Sequence, residues 1–189
     1  MTANLTEMER QFLLNLARTT ITNAIKKLPL ITPAPGETSP ALEDNGACFV
    51  TLTIDGQLRG CIGSLEAHQS LVEDVRERAF QAAFDDYRFP PLTEAELETV
   101  KIEISRLTPP VDLQYSKPEE LLTLLRPGID GVILQSGFKR ATFLPQVWGQ
   151  LPRHEDFLDH LCAKMGAARD LWRREKLDVK VYQVEEFHE

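Results

Sequence analysis

Asp55-Gly56 joins two stretches in which apolar and polar residues alternate, and this pattern forces a β-hairpin. A two-residue type I′ turn needs positive φ at both positions, which Asp and Gly tolerate. Before the turn, residues 47–54 put Cys48, Val50, Leu52 and Ile54 on one strand face. After it, residues 57–62 put Leu58, Gly60 and Ile62 on one face and Arg59 and Cys61 on the other. A second hairpin is expected from residues 131–135 and 138–144, turning at Ser136-Gly137.

Helices separate these hairpins. Thr6 and Glu9 spell a capping box opening a helix whose apolar stripe includes Met8, Leu13, Ala17, Ile21 and Leu28, stopped by Pro29. Ser70 and Glu73 open a second helix that runs to about Asp85. A stretch started by Ser116 to Glu119 and running through Leu125, and residues 154–165, read as two more, the last closed by Gly166. Strands are expected at 100–107, with Val100, Ile102 and Ile104 opposite Glu103 and Ser105, and at 177–184. The order is helix, hairpin, helix, strand, and then the same again. This predicts an α+β fold with a mostly antiparallel sheet and packed helices. The two halves duplicate element order without a residue-level repeat.

At 189 residues, one domain spanning 1–189 is the expectation. The formal net charge of -8 sets most of the surface against phosphate backbones. The cluster Arg169, Arg173, Arg174 and Lys176 is short and interrupted by acids, as on a solvated helix face. No binding of nucleic acid is therefore expected, and an anisotropy titration should find no affinity as tight as micromolar at about 150 mM salt. Three scattered cysteines without CxxC spacing fit a reducing compartment. The first sixteen residues carry acids and do not read as a secretory signal, and no apolar run approaches the ~20 residues of a membrane span. A cytoplasmic location without membrane attachment is the expectation.

Chemistry concentrates in Arg59-Gly60-Cys61-Ile62-Gly63. Glycines inside a strand mark a bulge or the close approach of a backbone or ligand. One reading is a pocket floor: Gly60 and Gly63 admit a ligand, Arg59 pairs its anion, and Cys61 is a nucleophile or redox group favoured as thiolate by the guanidinium. The other is a strand bent over a core, with Cys61 a small buried hydrophobe. Spacing alone is compatible with both. Glu103, Ser105, Arg140 and Thr142 could add an acid or base, hydroxyls and a cation. The acids, Arg88 and aromatics from Phe84 to Leu92 could line a site; the favoured reading is a helix end tied down by an Asp–Arg pair, with Arg88 buried and Phe84 and Phe89 in the core. Four histidines without metal spacing, and no phosphate loop or serine elbow, leave no metal site and no assigned cofactor.

Leu58-Arg59-Gly60-Cys61-Ile62-Gly63 resembles the AMMECR-type domain family, which includes protein A of the AmmeMemoRadiSam system. The likeness continues through Cys48–Leu52, Phe84-x-Asp86-x-Arg88-Phe89-x-Pro91-Leu92, Glu103-Ile104-Ser105-x-Leu107, Thr142-Phe143-Leu144-Pro145 and Phe157-Leu158-x-x-Leu161-Cys162. It covers roughly residues 7 to 184, with alanine more usual than Met165 near the last helix end. The resemblance implies an α+β domain of two unequal lobes, a Memo-like protein and a radical SAM protein as partners, and a functional stretch from Arg59 to Gly63. It implies no assigned reaction. Two functions follow. One is an enzyme or enzyme subunit acting on a small anionic substrate, with Cys61 reactive, Glu103 a more distant acid or base, and Arg59, Gly60, Gly63, Ser105, Arg140 and Thr142 binding. The other is a non-catalytic nucleotide- or partner-binding regulatory module.

Overall fold

The computed structural model describes residues 4–31, Pro33 and 36–189. It divides into two compact units, one running to Leu107 and taking in Glu185–Glu189, the other Thr108–Val184.

The first unit opens with α1 (Glu7–Ile25), capped by Thr6 and Glu9 in the reciprocal pattern expected. Leu13, Ala17 and Ile21 form its buried stripe. Met8 and Leu28 depart from the sequence reading, at 82% and 52% exposed. Met8 lies about 140° around the helix from Leu13 at roughly 100° per residue. Leu28 falls beyond the helix, which ends when Lys27 takes a left-handed conformation (φ 55°). The short helix α2 (Pro40–Glu43) precedes β1 (Asn45–Ile54). Asp55 and Gly56 turn with φ of 51° and 75°, and the chain returns as β2 (Gln57–Gly63). A two-residue strand, β3 (Gln69–Ser70), leads into α3 (Leu71–Phe84), where Ser70 accepts from the Glu73 N–H. After a turn of 3-10 helix at Glu94–Glu96 comes β4 (Lys101–Leu107).

The second unit holds β5 (Val111–Asp112), α4 (Leu121–Leu124), the hairpin β6 (Gly131–Ser136) and β7 (Lys139–Phe143), then α5 (His154–Lys164), α6 (Leu171–Arg174) and β8 (Asp178–Tyr182). The basic cluster at α6 is paired as a solvated face would be, Arg173 with Asp159 and Arg174 with Asp170. Its sheet runs β5-β8-β6-β7. One strand was expected at 177–184, but the chain breaks at Gln183, whose N–H and C=O are both taken by Thr108. Beyond it β9 (Val184–His188) joins the first sheet, ordered β2-β1-β4-β9 with β3 on β1.

The duplicated element order carries through to topology. In the first sheet, β1 pairs antiparallel with its hairpin partner β2 and with the later strand β4. In the second, β6 does the same with β7 and β8. Leu52 faces Gly60 and Ile102; at the same place in the second sheet, Leu134 faces Ala141 and Val179. Each unit has its own core. The first packs Leu13, Ile21, Val50, Leu52, Val75 and Ile104 between α1, α3 and one sheet face. The second centres on Phe157, stacked 3.7 Å from Trp148. Among the described residues no helix is long and apolar enough to cross a membrane.

Candidate functional site

The helices bury one face of the first sheet and leave the other to Phe49, Thr51, Cys61, Gly63, Glu103 and Ser105. Register makes two rows of them, since directly opposed residues share a face. Cys61 lies opposite Thr51, and Thr51 opposite Glu103; Gly63, Phe49 and Ser105 form the next row. The sequence placed Cys61, Glu103 and Ser105 on the face away from the helices, as found, but Ser105 is buried there at 7% exposed rather than open to a ligand. Register adds Thr51, whose hydroxyl lies 3.3 Å from the Cys61 sulfur and donates to it. Cys61 is half-buried, whereas Cys48 and Cys162 are buried in the two cores as their apolar spacing predicted. Burial pushes both of those thiols up from their ordinary pKa.

The strand β2 is an edge, and Asp86 and Arg88 close that edge at Cys61. The Cys61 N–H donates to Asp86 Oδ2 at 2.9 Å. The Cys61 carbonyl accepts from Arg88 Nη2 at 3.1 Å. Arg88 also forks onto Asp86, Nε to Oδ1 at 2.9 Å and Nη2 to Oδ2 at 2.7 Å. The pair thus presents one acceptor and one donor, as a neighbouring strand residue would. The sequence reading put Arg88 in the core. Instead its side chain is 43% exposed, while that of Asp86 is 2% exposed. The buried member is the carboxylate, because the shorter side chain sits against the strand while the guanidinium spans from it to solvent. Hydrogen bonds from Arg88, with the Cys61 N–H adding, hold the Asp86 carboxyl well below the usual carboxylate range. The same contact raises the Arg88 pKa, with a smaller electrostatic contribution from Cys61.

Arg59 has a different partner from the one expected. A bulge between Leu52 and Thr53 makes it the extra residue of β2: Gly60 pairs with Leu52 and Leu58 with Thr53. The same bulge turns Leu58 off the Gly60 face, leaving it 44% exposed. Arg59 forks onto Glu96, Nε to Oε1 at 2.7 Å and Nη2 to Oε2 at 3.2 Å. Bonds from Arg59 and Thr93 bring the Glu96 carboxyl down to about 2. The anion that Arg59 pairs is the protein's own.

The glycines also serve packing. A Cβ on Gly60 would overlap the Ala82 carbonyl oxygen of α3, so this glycine admits a helix backbone. A Cβ on Gly63 would strike the Phe49 ring and stand 2.6 Å from the Cys48 carbonyl oxygen. The space expected to admit a ligand is filled at both positions by the chain itself.

Arg140 and Thr142 belong to the second unit, on β7. By hairpin register, Thr142 holds the place that Cys61 holds in the first sheet: it faces Ile133 as Cys61 faces Thr51. Its hydroxyl lies 3.0 Å from the Tyr182 hydroxyl. Among the described residues no group of three or more His, Cys, Asp or Glu could hold a metal ion. Sequence reasoning missed Thr51, which strand alternation could have supplied, and Arg88 as the cation beside Cys61, which only the folded edge reveals.

The chain shares 37% identity with Protein MJ0810 of Methanocaldococcus jannaschii, over 96% of this chain and 89% of that one. It shares 40% with a protein of Thermococcus onnurineus, over 92% and 85%. The crystal structure of uncharacterized protein PH0010 from Pyrococcus horikoshii superposes with a TM-score of 0.78, at 34% identity, covering 98% of this chain and 93% of that chain. The AMMECR1 family model matches residues 14–187, nearly the whole of both units and all of the Cys61 face. The family model over nearly the whole chain and relatives at 37% identity over 96% of it show that the chain belongs to the AMMECR1 family.

Proposed function

We propose that the chain, acting as one functional domain, is an enzyme or enzyme subunit whose reactive group is Cys61 on the polar sheet face, working on a small anionic substrate. The observation that carries this reading is the Cys61 thiol itself. It alone of the three is not buried, and it carries a hydroxyl donor from Thr51. Glu103 stands two strands away, about 10 Å at the usual strand spacing. It would act on the far end of a substrate spanning the row, while Ser105 lies beside it on the same face. The family resemblance supplies the partners of this proposal, a Memo-like protein and a radical SAM protein, and the scattered cysteines fit a cytoplasmic setting.

A second reading, a non-catalytic binding module, draws on the internal use of Arg59, Gly60 and Gly63. A short iodoacetamide pulse on native protein at neutral pH, read by peptide mass spectrometry, separates the two. Cys61 should be modified roughly tenfold or more faster than Cys48 and Cys162, which react only when the core opens. Equal labelling of all three thiols, or none at Cys61, would favour the binding module.

A further inference from the structure

We infer that Arg88, held outward by Asp86, makes the Cys61 site selective for a small monoanion of the carboxylate kind. This rests on the reading of Cys61 as the reactive group and names the substrate class it takes. In the Asp86–Arg88 pair the negative end is inside and the positive end outside: the Asp86 side chain is 2% exposed and the Arg88 side chain 43%. Arg88 spends Nε and Nη2 on Asp86 and the Cys61 carbonyl, and Nη1 takes no part in those bonds. The Phe89 ring, 5.5 Å from the guanidinium carbon, packs beside it. A half-exposed guanidinium is thereby fixed to the same residue that carries the thiol. Arg59 cannot fill this role while its fork is on Glu96. One cation, partly balanced by Asp86, suits a singly charged ligand better than a doubly charged phosphate. Asp85, one residue before Asp86, adds a second acid to the same stretch and opposes the effect. The net charge of -8 opposes it too, so recruitment of an anion has to be local.

The test compares two alkylating reagents that differ in charge. In each, the Cys61 thiolate attacks the CH2 carbon, the C–I bond breaks, iodide leaves, and a thioether remains. Iodoacetate carries a carboxylate and iodoacetamide does not. The ratio of the two rates at Cys61 in native protein is measured against the ratio for a peptide of residues 57–64, which contains Arg59 but not Arg88. At low salt the protein's ratio should exceed the peptide's by up to about threefold, the effect one unit charge has at about 6 Å in water before the Asp86 carboxylate offsets part of it. It should fall toward the peptide's value as salt screens the charge, while the iodoacetamide rate stays flat. Arg88→Gln should lower the ratio to or below the reference, and Arg88→Lys should retain part of it. The salt titration needs no variant and decides the matter even where Arg88→Gln does not fold. A wild-type ratio at or below the peptide's, with Cys61 still labelled by iodoacetamide, overturns the role of Arg88 alone. Failure of both reagents to label Cys61 overturns the reactive-thiol reading, and this inference with it.

Discussion

Gly60→Ala should destabilise the protein by roughly 1–3 kcal/mol, the usual cost of forcing a methyl group into a packed site. For a chain of this length that is a fall in Tm of about 3–10 °C. The obstacle is the Ala82 carbonyl of α3, which is helix backbone and cannot rotate away as a long side chain could. Relief requires α3 to lift off β2 and would loosen Ala79, Ala82 and Ala83, all buried under it. Gly149→Ala is the matched control, because a Cβ there meets nothing within 4 Å and its φ is not in the left-handed region. The control should stay within about 0.5 kcal/mol of wild type. Thermal melts of the two variants side by side decide the point. If Gly60→Ala melts with the control, the glycine is not a packing device, and the sequence reading of a ligand approach at Gly60 regains its force.

Gly60 also shows where the sequence stopped being informative. Strand alternation placed it correctly on the inner face, opposite Leu52, and the Asp-Gly turn set the hairpin itself. Both follow from local geometry, which residues four or five apart report. Whether the space beside a glycine is empty or filled depends here on Ala82 of α3, far along the chain, and nothing near Gly60 encodes that. The bulge at Arg59 is a similar case. Strict period two puts Leu58 on the inner face and leaves Arg59 to a ligand. The extra residue instead turned Leu58 outward and brought Arg59 to Glu96, thirty-seven residues away. The polar row was legible because it needs only alternation plus a pairing register: Glu103 and Ser105 were read from β4 alone. The ion pairs were only half legible. Acids and an arginine in one stretch announced the Asp86–Arg88 contact, but which of the two would be buried was decided by the edge of β2. The duplicated topology was visible as element order alone, since the matching rows Leu52–Gly60 and Leu134–Ala141 share size and polarity rather than identity.

Asp86→Ala should cost on the order of 1–3 kcal/mol at neutral pH, because it leaves the Cys61 N–H and part of the Arg88 fork without an acceptor. Asp86→Asn should cost less, since an amide oxygen can still accept from Cys61 while the ion pair is lost. Acid distinguishes a true carboxylate role from simple loss of packing. The Asp86 carboxyl titrates below its ordinary range in the folded protein, chiefly through the bonds from Arg88, and near 3.9 when unfolded. A group depressed in this way stabilises the fold above its unfolded pKa and loses that contribution as the pH falls toward the folded value. Wild type should therefore lose part of its advantage over Asp86→Asn on going from pH 7 to pH 3. At pH 3 the gap should be smaller by about 1 kcal/mol, the cost of being ionised when folded against an unfolded carboxyl already mostly protonated. Glu96, brought to about 2 by Arg59 and Thr93, weakens over the same range. It is present in both proteins, so its contribution cancels in the difference. Urea denaturation of wild type and Asp86→Asn at the two pH values measures this gap. A gap that does not change with pH would mean that the folded carboxyl is not held ionised by Arg88. The clamp would then be a steric prop for the β2 edge, and the outward-facing guanidinium beside Cys61 would lose the anchor that fixes it there.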